Sequence, residues 1–294
     1  MLTYYFITNK ENIQLARDEA IALITAYNPN AEIISKERLL IVNSNKDLKQ
    51  VWDRAAMLRY AGRSYDKVDL KTFACKVINL TDNKLDQRYY IDKFVKEMNL
   101  KNAKVSLNNP DVVFGIIIAD KEYRCILLSK NNKKLLKLHK HPAELVNKLA
   151  ILMINLSGVI EDEILLDPCC GTGTIIMYAS YMGINSIGCD ISMKMCNYTR
   201  DNLEVNNLSA SIINCDSTRL PIKRTDVMVS NLPYGRASST YKRDSKELIK
   251  QIIDECNMAR RIVIMCKEGD EPEYIKSYTI YVHSNLRRKI VICR

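Results

Sequence analysis

The stretch Leu165-Leu166-Asp167-Pro168-Cys169-Cys170-Gly171-Thr172-Gly173-Thr174 limits what this chain can fold into more than any other. Residues 164–166 form an apolar run that reads as a buried parallel strand. The run breaks at Asp167-Pro168, because proline lacks an N–H and steers the residue before it away from helix. Gly171 and Gly173 then make a tight turn into residues 175–179, which read as a helix. Both glycines let backbone N–H groups approach a ligand where a side chain would clash. A strand, an acidic turn, a Gly-x-Gly and a helix predict a site for a nucleotide-like cofactor.

What the turn lacks narrows the cofactor. A dinucleotide fingerprint carries a third glycine and receives a pyrophosphate on the helix N-terminus. Here that glycine is absent, and Asp167 at the strand end would repel a pyrophosphate but suits a cation. A second strand, residues 186–190, ends in Asp190, placed to accept from both hydroxyls of a ribose. A third acid, Asp216, follows the strand-like residues 210–215 and could meet an adenine amine. A cationic ligand with ribose and adenine is S-adenosylmethionine. The expected cofactor contacts are Asp167, Pro168, Cys169, Gly171, Thr172, Gly173, Asp190, Ile191, Asp216, Ser217 and Asn231.

Residues 227–235, Val-Met-Val-Ser-Asn-Leu-Pro-Tyr-Gly, read as another buried strand with a proline turn. Asn231-Leu232-Pro233-Tyr234 resembles the Asn/Asp-Pro-Pro-Tyr signature of methyltransferases that act on exocyclic base amines, and the likeness covers about the last half of the chain. That resemblance implies a catalytic set of Asn231, Leu232, Pro233 and Tyr234. An amine on a base is a poor nucleophile because its lone pair is delocalised into the ring. Accepting its hydrogens on the Asn231 side-chain oxygen and a nearby main-chain carbonyl localises that pair, and Tyr234 would stack on the extruded base.

Composition excludes several other classes. The chain has 294 residues and 47% apolar content, enough for two or three cores. No apolar segment approaches the ~20 residues of a membrane span, and the first ten residues lack a signal-peptide pattern. Ten cysteines are scattered without a Cys-x-x-Cys pair beside three histidines, so no metal site is expected and reduced thiols in the cytoplasm are. Cys169 and Cys170 read as small side chains packed in a turn. The net charge is +10, and its distribution is uneven: residues 1–140 hold 25 Lys and Arg against 16 Asp and Glu, residues 141–294 hold 19 against 18. The front is therefore the expected polyanion-binding half, and the back carries the chemistry.

Along the front, residues 2–8 read as a strand, 12–27 as a helix, 31–35 and 38–43 as a strand pair, and 46–60 as a helix capped by Ser44 or Asn45. Residues 64–70 are a candidate last strand, and Trp52 is expected in the core. This order is that of a small ferredoxin-like α+β unit. Residues 71–79 follow as a strand, 86–100 as a helix, 105–118 as two strands around a proline turn, and 123–129 as one more. The Leu107-Asn108-Asn109-Pro110-Asp111 turn before an apolar strand resembles THUMP domains, RNA-binding modules of several tRNA-modifying enzymes. Residues 130–140 are a basic bridge, and a helix is expected from His141 through Leu156. Beyond the cofactor stretch, helix 244–258, strand 261–266 and a closing strand pair at 279–283 and 289–293 complete a doubly wound α/β sheet.

Taken whole, the chain resembles the THUMP-containing tRNA guanine-N2 methyltransferases. His141-Pro142 with the following helix, Tyr234-Gly235-Arg236-Ala237-Ser238-Ser239, and His283-Ser284-Asn285-Leu286-Arg287-Arg288 are most similar to the branch that modifies guanosine 10. The resemblance implies an α/β class I (Rossmann-like) methyltransferase domain at 142–294. Before it would lie a ferredoxin-like domain at 1–65, a THUMP domain at 66–130 and a basic linker at 131–141. It further implies S-adenosylmethionine as cofactor and tRNA as partner, with no membrane and no metal; a monomeric state is compatible. Asn231-Leu232-Pro233-Tyr234 departs from that branch's usual Asp-Pro-Pro-Tyr and looks more like the relatives acting on guanosine 6. A tRNA guanosine-6 N2-methyltransferase and an adenine-N6 methyltransferase acting on rRNA or DNA are the alternatives.

Overall fold

A computed structural model describes residues 1–66, 68, 70–98, 103–131, 134–142, 144–233, 244–283 and 286–293. The chain divides into two units, residues 1–53 with 57–131 and residues 54–56 with 132–294.

The first unit runs β1 (Leu2–Thr8), α1 (Ile13–Tyr27), β2 (Glu32–Lys36), β3 (Leu39–Ser44), α2 (Lys49–Arg54), β4 (Leu58–Arg63), β5 (Thr72–Asn79), α3 (Gln87–Met98), β6 (Lys104–Val105), β7 (Val112–Ile118) and β8 (Glu122–Leu127). Asn12 caps α1 by accepting from the Leu15 N–H at 3.0 Å. All eight strands form one sheet in the order β2-β3-β1-β4-β8-β7-β5-β6. Its first four strands have the ferredoxin-like β-α-β-β-α-β succession expected from the sequence. The two halves join through the short β4–β8 pairing of Gly62 with Leu127 and Arg63 with Ile126. A Cβ at Gly62 would lie 2.3 Å from the Cys125 Sγ, so only glycine admits that approach. Ile7, Leu39 and Ile41 of the first half share a buried cluster with Ile78, Ile117, Tyr123 and Cys125 of the second.

Three expectations change here. The helix at 46–60 ends at Arg54, and Leu58–Arg63 is a strand; residues 64–66, 68 and 70 are not. Cross-strand pairing of Thr8 with Leu58 and Ile7 with Tyr60 overrides the helical spacing of the apolar residues. Neither Ser44 nor Asn45 meets the first turn of α2; the Asp47 carboxylate accepts from the Lys49 N–H at 2.9 Å. Trp52 is in the core, its indole N–H donating to the Leu128 carbonyl at 3.0 Å.

The second unit runs α4 (Asn147–Leu156), β9 (Ile164–Asp167), α5 (Thr174–Tyr181), β10 (Asn185–Asp190), α6 (Met193–Glu204), β11 (Ser211–Asn214), β12 (Val227–Asn231), α7 (Ser245–Glu255), β13 (Arg261–Lys267), β14 (Lys276–His283) and β15 (Leu286–Ile292). Its sheet order is β11-β10-β9-β12-β13-β15-β14. The first five of these are parallel, and β15 enters antiparallel to both β13 and β14. This is the doubly wound α/β sheet expected. Its strands read as continuous apolar runs because helices cover both faces. The helix expected from His141 begins only at Asn147: the Glu144 N–H closes a single turn on the His141 carbonyl at 2.9 Å, and the Glu144 carboxylate turns to Lys137 and Thr172. Among the described residues, no helix is long and apolar enough to cross a membrane, and no group of His, Cys, Asp and Glu could hold a metal.

Candidate functional site

Strand order reverses between β9 and β12, and in open α/β sheets ligands bind in the crevice at the carboxyl ends of the strands flanking such a switch. The two strands pair only at Leu165 with Val227 and Leu166 with Met228. Asp167 and Asn231 are therefore strand-end residues on either side of the opening.

Burial dominates Asp167. Its side chain is 2% exposed, and its carboxyl is pushed up to about 7 by desolvation. The Ser230 hydroxyl and the Cys169 N–H pull it back, while the nearby Asp190 carboxylate pushes it further. Ser230 donates to Oδ1 at 2.7 Å and the Cys169 N–H donates to the same oxygen at 3.1 Å. Both bonds thus fall on one oxygen, which leaves Oδ2 as the acceptor for a cation.

The turn after Asp167 is bolted to β10. The Cys170 N–H donates to the Cys189 carbonyl at 2.8 Å, and the Gly171 N–H donates to the Asp190 Oδ2 at 2.9 Å. Asp190 also accepts from the Ser192 N–H, at 2.8 Å on Oδ1, and burial raises its carboxyl as well. Each carboxylate oxygen has a second lone pair, so the expected ribose contacts remain compatible with these bonds. Gly171 and Gly173 both have left-handed backbone, φ +55° and +84°. A Cβ at Gly173 would lie 2.5 Å from Thr199 Cγ2, whereas a Cβ at Gly171 would meet nothing within 4 Å. Open space over a bare backbone, beside the buried Asp167 carboxylate and the half-buried Asp190 carboxylate, fits the sulfonium-bearing cofactor expected from the sequence.

The other expected contacts divide by environment. Pro168 and Thr172 are buried, and the Thr172 hydroxyl donates to Glu144 at 3.3 Å, so both shape the turn from inside. Cys169 packs against the core, and burial raises its thiol. Ile191 is 45% exposed directly after Asp190, an apolar surface at the ribose-side strand end. Asp216 accepts from both the N–H and the hydroxyl of Thr218, at 2.9 and 2.8 Å, and Ser217 beside it is half-buried. Of the expected catalytic set, Asn231 closes β12 and Pro233 is half-buried. Leu232, expected in the same set, has its side chain in the core, 1% exposed, and its N–H donates to the Met265 carbonyl. Tyr234 and residues 235–239 lie outside the described residues.

Several participants were not anticipated. The basic bridge is a strap along α6, with the Leu136 N–H on Asn206 Oδ1 and the Leu138 and His139 N–H groups on Asn202 Oδ1. Asn202, fully buried, donates back to the His139 carbonyl at 2.9 Å and to the Thr172 carbonyl at 3.0 Å. The Thr199 hydroxyl donates to the Gly171 carbonyl at 2.7 Å. His139 stacks on Tyr198 with ring centroids 3.9 Å apart and bonds Asp201. Lys137 Nζ donates to the Thr174 hydroxyl at 2.7 Å and faces Glu144 at 3.3 Å. Thr199 and Asn202 share one face of α6, with Asn206 in the turn just beyond it, a spacing that could have signalled a buried polar seam.

Known proteins sharpen the assignment. A family model described as an RMKL-like methyltransferase domain matches residues 134–278, and a DNA methylase model matches residues 5–201. The tRNA (guanine(10)-N2)-dimethyltransferase of Methanocaldococcus jannaschii is 29% identical over 93% of this chain and 83% of its own length. The probable tRNA (guanine(10)-N2)-dimethyltransferase of Methanothermococcus thermolithotrophicus is 32% identical over 49% of this chain and 95% of its own length. The chain belongs to the tRNA guanine-N2 methyltransferase family. Family membership agrees with the fold: TrmN of Thermus thermophilus superposes over the full length of both chains with TM-score 0.52 at 13% identity.

Proposed function

We propose that this enzyme transfers a methyl group from S-adenosylmethionine to the exocyclic N2 amine of guanosine 10 in tRNA. The observation that carries the chemistry is the placement of Asp167 and Asn231 at neighbouring strand ends across one crevice, beside the Gly171 turn. When bound, S-adenosylmethionine supplies an electrophilic methyl on a sulfonium. Asp167 Oδ2 would accept from its ammonium, Asp190 from its ribose, and Asp216 with Ser217 would lie toward its adenine. Asn231 would accept one hydrogen of the guanine amine, and a main-chain carbonyl in 232–233 the other, which turns the nitrogen lone pair toward the methyl. An amide is no base at neutral pH, so the surplus proton leaves to solvent once the nitrogen carries the new methyl and is strongly acidic. Tyr234 would hold the extruded base by stacking.

The first unit, with its excess of lysine and arginine, would supply the tRNA affinity, and residues 66–130 within it would act as the THUMP module. The proposal takes the protein as a cytoplasmic monomer, open to test by fractionation and size-exclusion chromatography. Guanosine 6 is the second target to test, because Asn231 stands where the guanosine-10 branch usually has Asp. The DNA methylase match keeps adenine N6 as a third. Labelled S-adenosylmethionine and unmodified tRNA transcript, with nuclease mapping of the labelled nucleotide before digestion to nucleosides, separate these outcomes. N2-methylated guanosine at position 10 supports the proposal; the same nucleoside mapped to position 6, or label in N6-methyladenosine, overturns it.

A further inference from the structure

We propose that Ser230 is a positioning residue that ties the cofactor acid to the methyl-acceptor strand: its hydroxyl engages one oxygen of Asp167, leaves the other to a cationic ligand, and fixes the end of β12 against the end of β9. The inference rests on the cofactor assignment above and extends it to a residue outside the recognised motifs.

The geometry is specific. Backbone pairing of β9 with β12 stops at Leu166 and Met228, so beyond it the strands are held by what crosses the opening crevice. There the Ser230 hydroxyl reaches Asp167 Oδ1 at 2.7 Å from a fully buried position, immediately before Asn231. A hydroxyl has one hydrogen to give, and it is given to a carboxylate that burial disfavours as an anion. Ser230 thus acts on the charge that a cationic ligand needs, and on the register of the residue expected to hold the amine. Around Asp167 the other titratable groups are Asp190 and Cys189 on β10 and Cys169 and Cys170 in the turn. All are acids or thiols, and no cation of the described residues offsets Asp167. Burial holds the three thiols above their ordinary range, so they stay neutral near pH 7 and only Asp190 adds a like charge.

The test follows S-adenosylmethionine binding to full-length wild type, Ser230→Ala and Ser230→Thr by calorimetry from pH 5.5 to 9.5. Ionisation of Asp167 in each ligand-free protein is followed in parallel by carboxyl NMR. Ser230→Ala should raise the Asp167 midpoint and weaken cofactor binding about tenfold at pH 7. By pH 9.5, where the carboxyl is ionised in all three proteins, the difference should shrink to within about threefold. Ser230→Thr, which keeps the hydroxyl, should follow wild type in its NMR midpoint. A loss of affinity equal at every pH, or an unmoved midpoint in Ser230→Ala, overturns the proposal and reduces Ser230 to packing. A wild type that binds the cofactor yet methylates no tRNA refutes the substrate assignment alone, and the Ser230 comparison still stands on binding.

Discussion

Asp167→Asn should make the ligand-free protein more stable and the enzyme useless. Burial raises the Asp167 carboxyl from 3.8 to about 7, so the folded protein holds a proton that the unfolded chain releases. The native state binds more protons between those values, and stability therefore falls as pH rises from about 4 to 7 and is flat above. The full cost is about 4 kcal/mol at pH 8 and about 2 kcal/mol at pH 5. Asparagine keeps an oxygen for the Ser230 hydroxyl and the Cys169 N–H, and it carries no charge to desolvate. Urea unfolding of both proteins at pH 4, 5, 7 and 8 should show the mutant's advantage growing from near zero to about 4 kcal/mol. The same mutant should lose cofactor affinity by at least about thirtyfold, because the cation it faced has no anion. Wild type should show the counterpart: below pH 7, cofactor binding must expel a proton, and affinity should drop about tenfold per pH unit. Parallel unfolding curves at all four pH values would refute the argument, since a carboxyl that costs nothing to ionise is not held ready for a cation.

Asp190→Ala should weaken cofactor binding tenfold or more in calorimetry, since it removes the ribose acceptor and releases the Gly171 and Ser192 N–H groups together. Gly173→Ala should lower stability by about 2 kcal/mol or more in a thermal melt, because the left-handed backbone is strained by a Cβ that would also strike Thr199. Asn202→Ala should cost about 2–4 kcal/mol by the same assay, as it strands the Thr172 and His139 carbonyls and two strap N–H groups. Asn231→Ala should slow single-turnover methyl transfer at saturating tRNA by about 10²–10³ with cofactor affinity nearly unchanged. Asn231→Asp restores an acceptor and should recover much of that rate; equal rates for alanine and wild type would make Asn231 a structural residue.

What the sequence disclosed was whatever is encoded locally. The glycine turn, the apolar parallel strands and the acids at their ends follow from residue type and short spacing, and the structure brings them to one edge of one sheet. Misreadings arose where distant partners decide. Residues 55–60 carry helical spacing, yet pairing with β1 draws Leu58–Arg63 into a strand. The basic bridge shows only its charge in the sequence, because Asn202 and Asn206, some 60 to 70 positions away, hold it by side-chain bonds that no local pattern announces. The Leu232 side chain lies in the core, since membership of a motif says nothing about which way a side chain points. Ser230 was in plain view beside Asn231. Only the strand order sets it opposite Asp167 across the switch point.

The most direct test of the central claim is nuclease mapping of the nucleotide that receives labelled methyl in an unmodified tRNA transcript. The account predicts label at guanosine 10 as N2-methylated guanosine, abolished when that guanosine alone is replaced by adenosine and retained when guanosine 6 is replaced. Label that survives replacement of guanosine 10, or that maps to an adenine, would contradict it.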